Sequence, residues 1–269
     1  CKSKSKFCIF SSSPEFFWRS SNSIFWYLAF SLATIDSVRA SVISMTLPQF
    51  LQVILAAIFA VYPTPTPKTV EYDNAIYSYA IFTSDEIKLI PNWNNPQTFK
   101  KIIFDNKCKY AINGGFYDTN NKPIGLVIAD NKILNPGHNN YLFNGYLSNL
   151  GIESVPPSMA TWAVQTGPVL IKNSQTLNIK TGGDKSARRG VAIITTDNKL
   201  YFVIFYNSQA PVLGPHLNDL PEIIKRLGEK ERLEIKSAIN LDGGGASAFY
   251  DGKLILEESD PVATILCAK

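Results

Sequence analysis

Alternating apolar and polar positions dominate the chain beyond position 67 and predict strands more often than helices. Residues 70–82 alternate and are rich in tyrosine and isoleucine, predicting one long strand, with a shorter one at 86–90. Asn95-Pro96 predicts a helix start, with Asn95 as N-cap and Pro96 at the first helical position. Phe99, Ile102 and Ile103 form its apolar face, and it ends near Asn106. A strand at 109–112 follows. Strands 124–129 and 132–134 flank the turn pair Asp130-Asn131. The stretch 137–159 is uneven and reads as loop. Strands 162–165 and 169–172 flank Thr166-Gly167-Pro168, and strands 190–195 and 200–205 pair across Asp197-Asn198. A second helix is predicted over 218–227, capped by Gly228. Strands at 237–239, 248–250, 253–256 and 262–266 close the chain. No regular βαβ alternation is present, so the expected fold class is α+β. The body should be a single globular domain of mixed, mostly antiparallel β-sheets with a few helices.

The first 67 residues follow a different pattern. The chain starts with Cys1, and its first methionine is Met45. Residues 1–44 are expected to be an upstream extension, with the true start at Met45. Residues 50–62 are apolar except for Gln52, the length of a signal-peptide core, and cleavage is expected after Ala60. An uncleaved membrane anchor is the competing expectation. Pro63-Thr64-Pro65-Thr66-Pro67 favours extended polyproline II and marks a linker at 63–67. The expected organisation is a leader or anchor within 1–62, the linker, and a folded body at 68–269, large enough to bury its own core. An exported protein is expected: periplasmic, extracellular or membrane-anchored.

Composition narrows the partners. The 269 residues are 45% apolar and 18% charged, an ordinary globular balance. Of 26 basic and 22 acidic residues, five and two lie before position 63, leaving 21 and 20 in the body. With no basic run or basic–aromatic stripe there, a nucleic-acid partner is not expected. Of the four cysteines, only Cys108 and Cys267 lie in the body. They are expected either to pair or to be buried thiols. No Cys/His cluster suggests zinc, and no cofactor is expected. His138 and His216, the only histidines, have no defensible Ser/His/Asp spacing and read as loop residues.

The densest chemistry lies at Asn240-Leu241-Asp242-Gly243-Gly244-Gly245-Ala246-Ser247, between two predicted strands. Consecutive glycines let a ligand approach the main chain, and a nest of amide N–H groups suits an anionic oxygen. Asp242 brings a carboxyl to the strand end, with Asn240 two residues earlier. A second strand-to-glycine exit, Asn113-Gly114-Gly115-Phe116-Tyr117, echoes the first and predicts two loops facing one cleft.

Five blocks then occur in order: Asn113-Gly114-Gly115-Phe116-Tyr117; Pro123-Ile124-Gly125-Leu126-Val127-Ile128; Gln165-Thr166-Gly167-Pro168; Arg188-Arg189-Gly190-Val191-Ala192-Ile193; and the glycine loop itself. Together they resemble the phosphodiester glycosidase family, which includes the catalytic domain of the mannose 6-phosphate uncovering enzyme. The resemblance departs at Ala246, where the family often has serine. It implies hydrolysis of a sugar-1-phosphodiester, releasing the sugar from a phosphate-bearing acceptor.

Such a reaction needs donors for the phosphate and a carboxyl near the anomeric carbon. Asp242 is the expected carboxyl, with Asn113 and Arg188 completing the catalytic set. Arg189 takes the place of Arg188 if the register slips. Gly114, Gly115, Gly167, Asn240, Gly243, Gly244, Gly245 and Ser247 are expected to bind substrate, the amides of Gly243 to Gly245 holding the phosphate oxygens. Two readings compete. One is a non-catalytic module that binds an envelope glycan. The other is a metal-dependent phosphodiesterase in which Asp242 and Asn240 hold Ca²⁺ or Mg²⁺.

Overall fold

The computed structural model describes residues 66–269 and, before them, only Gln52. The expectations for the upstream extension, the Met45 start, the leader and most of the linker lie outside the described residues. By contacts the chain divides at Thr66/Pro67, and Pro67–Lys269 forms one compact unit.

The unit begins with β1 (Lys68–Tyr72), β2 (Ala75–Thr83) and β3 (Ile87–Pro91), followed by α1 (Phe99–Asp105) and β4 (Tyr110–Asn113). Next come β5 (Val127–Ala129), β6 (Lys132–Asn135), β7 (Gly145–Ser148), β8 (Gly151–Glu153), β9 (Ala163–Thr166), β10 (Val169–Lys172) and β11 (Gln175–Thr176). β12 (Arg189–Thr195) and β13 (Leu200–Tyr206) precede a 3-10 turn (Leu217–Asp219) and α2 (Leu220–Glu231). β14 (Ile235–Asn240), β15 (Phe249–Tyr250), β16 (Ile255–Leu256) and β17 (Thr264–Ala268) end the chain.

They form a seven-stranded sheet, β1-β2-β13-β12-β14-β10-β11, and two five-stranded sheets, β16-β15-β4-β17-β3 and β6-β5-β9-β7-β8. The expectation of mixed sheets is corrected: every strand pair among the described residues is antiparallel. The fold is therefore mostly β, with few helices.

Burial explains the continuous apolar strands. In β13, Phe202, Ile204 and Tyr206 enter the core shared with both five-stranded sheets. Val203 and Phe205 face the other way, onto Leu220, Ile223, Ile224 and Leu227 of α2. The seven-stranded sheet is thus apolar on both faces. α1 covers the first five-stranded sheet through Phe99, Ile102 and Ile103, against Ala111, Ile265 and Cys267.

Several predicted elements change. The single strand 70–82 is a hairpin, because Asp73 and Asn74 take positive φ (46° and 61°) and fold β1 back onto β2. α1 is capped by Thr98, not Asn95: its side chain accepts from the Lys101 N–H. Asn92 prevents the earlier start, since its side chain exchanges two hydrogen bonds with Gln97 (both 2.9 Å) and holds 92–97 as a loop. The supposed loop 137–159 contains the β7–β8 hairpin, turned by Ser148 Oγ accepting from the Leu150 N–H (3.1 Å). Gly228 does not cap the second helix; Arg232, at φ 57°, does. A Cβ on Gly228 would stand 2.9 Å from Ile235 Cδ1, so glycine is needed there for packing as the chain returns to β14.

Cys108 and Cys267 are bonded, with Cα atoms 5.4 Å apart. The bond joins the segment after α1 to β17, across a sequence separation of 159. Closing so long a loop contributes roughly 3–5 kcal/mol in the chain-entropy model. Non-reducing mass mapping should recover one cross-linked peptide, and reduction should lower the melting temperature without abolishing the fold. Two freely alkylated thiols in the native protein would contradict this pairing.

Candidate active site

The exit of β4 and the exit of β14 belong to different sheets, yet they are joined directly. Asn113 is 1% exposed. Its Nδ2 donates to the Asp242 carbonyl (2.7 Å), and its Oδ1 accepts from the Ala248 N–H (3.0 Å). The Asp242 N–H donates to the Gly114 carbonyl (3.1 Å), and the Gly114 N–H to the Thr264 carbonyl (2.9 Å). A side chain at Gly114 would overlap Thr264 Oγ1, and one at Gly115 would overlap the Gln165 carbonyl. Those two glycines therefore permit close approach of loop to sheet. Asn113 acts as a staple, with Nδ2 donating to the Asp242 and Gly114 carbonyls and Oδ1 accepting from the Ala248 N–H.

Asn240 is equally buried and donates to the Gly167 carbonyl (2.8 Å). Its Oδ1 has no partner, and neither does the buried Ser247 Oγ. Gly167 has φ 151° and packs against the main chain of residues 142–144, which its lack of a Cβ allows. Gly167 and Asn240 thus brace the floor behind the loop.

The amides of the glycine loop are only partly available. Gly243 N–H donates to Asp242's own Oδ1 (2.9 Å), and Gly244 N–H to the Arg188 carbonyl (3.0 Å). Gly245 is the one of the three not engaged in this way. The expected three-amide nest is corrected accordingly. Gly244 lies in the left-handed region (φ 64°) with open space around it, so conformation, and not room, is what requires glycine there.

The two arginines divide sharply. Arg188 is 2% exposed, and its Nη2 donates to the carbonyls of Ser247 and Glu257 (2.6 Å for the latter). Its Nε is buried without a partner. It holds the glycine loop to the segment after β16 from behind. Arg189 lies on the opposite face of the chain. It donates from Nε to the Pro215 carbonyl (3.3 Å) and from Nη2 to Asp184 Oδ1 (3.1 Å) and the Lys185 carbonyl (2.8 Å). Its Nη1 stands against Gly243, 3.2 Å from where a Cβ would be. Burial lowers the pKa of both guanidiniums; Glu258 opposes this at Arg188, and Asp184 and Asp242 oppose it at Arg189.

Asp242 carries the most altered carboxyl of the site. Burial pushes it from the ordinary 3.8 to about 7. The Gly243 N–H and Arg189 pull it down, while nearby Asp260 pushes it further up. Burial thus favours the protonated form of this carboxyl.

Two neighbours lie outside the expected site residues. Tyr117, four residues past Asn113, has its phenol pushed up to about 12, first by burial and then by the charges of Asp242, Asp260 and Glu258. Asp260 folds over Gly245, whose carbonyl accepts from both the Ser259 and Asp260 N–H groups (2.8 and 3.1 Å). A side chain on Gly245 would overlap the Asp260 carboxylate. Among the described residues no three His, Cys, Asp or Glu side chains converge as a metal ion would require. A cavity of about 660 Å³ lies elsewhere, near Trp162, Lys172 and Lys236, and contains none of the expected site residues.

Antiparallel sheets thus meet at a glycine loop that carries Asp242, with Arg189 of β12 beside it. A model of the phosphodiester glycosidase (NAGPA) family matches residues 106–268, and the chain belongs to that family. Its fold is similar to the zebrafish N-acetylglucosamine-1-phosphodiester alpha-N-acetylglucosaminidase catalytic domain, auto-inhibited by its pro-peptide. That match has a TM-score of 0.54 and 16% identity, covering 76% of this chain and 86% of that one. A hypothetical protein from Synechocystis is similar at TM-score 0.53 and 14% identity, covering 75% and 61%. No curated protein matches the chain.

Proposed function

We propose that the chain hydrolyses a sugar-1-phosphodiester, breaking the bond between the anomeric carbon and the phosphate oxygen. The observation that carries this reading is a buried carboxyl on the glycine loop, its charge disfavoured by burial, with the Nη1 edge of Arg189 from β12 standing beside that loop. Arg189 Nη1 and the Gly245 N–H take oxygens of the phosphodiester, whose single negative charge they match. Protonated Asp242 gives its proton to the leaving phosphate oxygen as the C1–O bond breaks, and water adds to C1, losing a proton that restores the Asp242 acid. Asn113, Asn240 and Arg188 fix the loop, and so the carboxyl, within the small tolerance that proton transfer allows.

The reading requires no cofactor. An exported or envelope setting is supported by the disulfide, since such bonds persist in oxidising compartments. The test is incubation of the purified chain with a nitrophenyl sugar phosphodiester or a UDP-sugar, with and without chelator. Free sugar released in both conditions is expected. Glycan binding without turnover would support a binding module instead, and loss of activity in chelator would support a metal-dependent phosphodiesterase.

A further inference from the structure

Segment 181–186 is polar, and one of its side chains is among the most heavily engaged carboxylates of the unit. Asp184 is 8% exposed. Its Oδ1 accepts from Arg189 Nη2 (3.1 Å) and from the Leu217 N–H (3.0 Å), and its Oδ2 from the Asn218 N–H (2.8 Å). The two amides open the 3-10 turn that leads into α2, so Asp184 is anchored to a rigid element. His216 Nδ1 stands 3.9 Å away and is itself half exposed. Arg189 is therefore the one permanently charged partner that the described side chains bring within ion-pair reach of this carboxylate.

A guanidinium has five N–H donors in a fixed plane. Three of Arg189's are taken, by Pro215, Asp184 and Lys185. The two on Nη1 remain, and they face Gly243. Without that anchor the guanidinium would be free to turn toward Asp242, whose charge already acts on it, and the donors would be lost to substrate. We infer that Asp184 is a positioning residue: it holds the Arg189 plane so that the Nη1 edge is presented to the anionic oxygen of a bound phosphoryl group. The inference rests on the phosphodiester reading for its substrate. The chemistry it describes, recognition of a phosphate oxyanion by an anchored arginine, is testable apart from turnover.

The experiment uses the full chain and two readouts. The first is affinity for inorganic phosphate by calorimetry; the second is KM and kcat on a sugar phosphodiester. Asp184→Asn should weaken phosphate binding about tenfold and raise KM by a similar factor, while kcat falls no more than a few-fold. The charge-assisted pair it loosens is of that size. Asp184→Asn added to Arg189→Ala should weaken binding little beyond Arg189→Ala alone, because both act through one guanidinium. Phosphate affinity and KM within twofold of wild type in a folded Asp184→Asn protein would overturn the inference, and so would effects that multiply in the double variant. Should Asp184→Asn fail to fold, Arg189→Lys serves. It keeps the charge but cannot reach Asp184 and Gly243 at once, and wild-type phosphate binding by that variant would also overturn the inference. Phosphate binding that depends on Asp184 in a protein with no turnover would sink the hydrolase reading and leave this one standing.

Discussion

Asp242→Asn should lose about 10²–10⁴-fold in kcat, the usual contribution of general acid–base help, and should do so in a protein that is more stable than wild type at pH 8. The two effects share one cause. The site holds a carboxyl in surroundings that disfavour its charge, raising it to about 7. In the unfolded chain the same group titrates near its ordinary 3.8. Between those values the folded state binds a proton that the unfolded state has lost, so stability falls as pH rises through the window. Above about 7 the folded protein carries the full penalty of the buried charge. An asparagine has no charge to bury, so its advantage grows over that window and is constant above it. The activity of wild type should follow the protonated acid: level below about 7 and falling tenfold per pH unit above. The checks are a pH–rate profile and thermal melts of both proteins at pH 4 and pH 8. A folded Asp242→Asn protein with kcat within a few-fold of wild type would make Asp242 a turn residue and displace the site.

The two adjacent arginines should fail differently. Arg188→Ala removes the donor shared by the Ser247 and Glu257 carbonyls and leaves Glu258, whose Oε2 is already buried without a partner, facing no cation. Removing one member of a buried charged arrangement costs about 3–5 kcal/mol. The expected result is a large drop in unfolding midpoint, with activity lost because the loop is no longer held. Arg189→Ala leaves Asp184 without its cation but still held by the Leu217 and Asn218 N–H groups, so its melt should fall less than that of Arg188→Ala, while KM should rise about 10–100-fold, the equivalent of one charge-assisted contact of about 1.5–3 kcal/mol. Denaturant unfolding and steady-state kinetics on both variants decide the matter. A stable Arg188→Ala protein with raised KM, beside a harmless Arg189→Ala, would reverse the assignment.

Why the sequence put Arg188 ahead of Arg189 is a matter of strand geometry. Successive side chains point to opposite faces, so one of the two had to be buried, but neighbouring residues in the chain do not reveal which. The partners that decide it, Ser247, Glu257, Asp184 and Pro215, are all distant in sequence or lie in irregular segments. Asp184 has equally distant partners: its carboxylate is sequestered by the chain's return at Leu217 and Asn218.

Local chemistry was legible where it is self-sufficient. Asp130-Asn131 and Asp197-Asn198 turn the hairpins predicted from them, with Asp130, Asn131 and Asn198 at positive φ. Asp73-Asn74 makes a similar turn but sits inside an unbroken tyrosine–isoleucine pattern, which concealed it. β7 escaped because all four of its residues are buried, which removes the alternation that marks a strand. At the site, the two glycine exits were legible as neighbours. That most of their amides and carboxamides are engaged with one another was not, because those bonds join different sheets.

Turnover in H₂¹⁸O tests the central claim most directly, since it identifies the bond that breaks. Attack at the anomeric carbon should place the label on the C1 hydroxyl of the released sugar and leave the phosphate unlabelled. Label found in the phosphate instead would show cleavage at phosphorus and contradict a glycosidase.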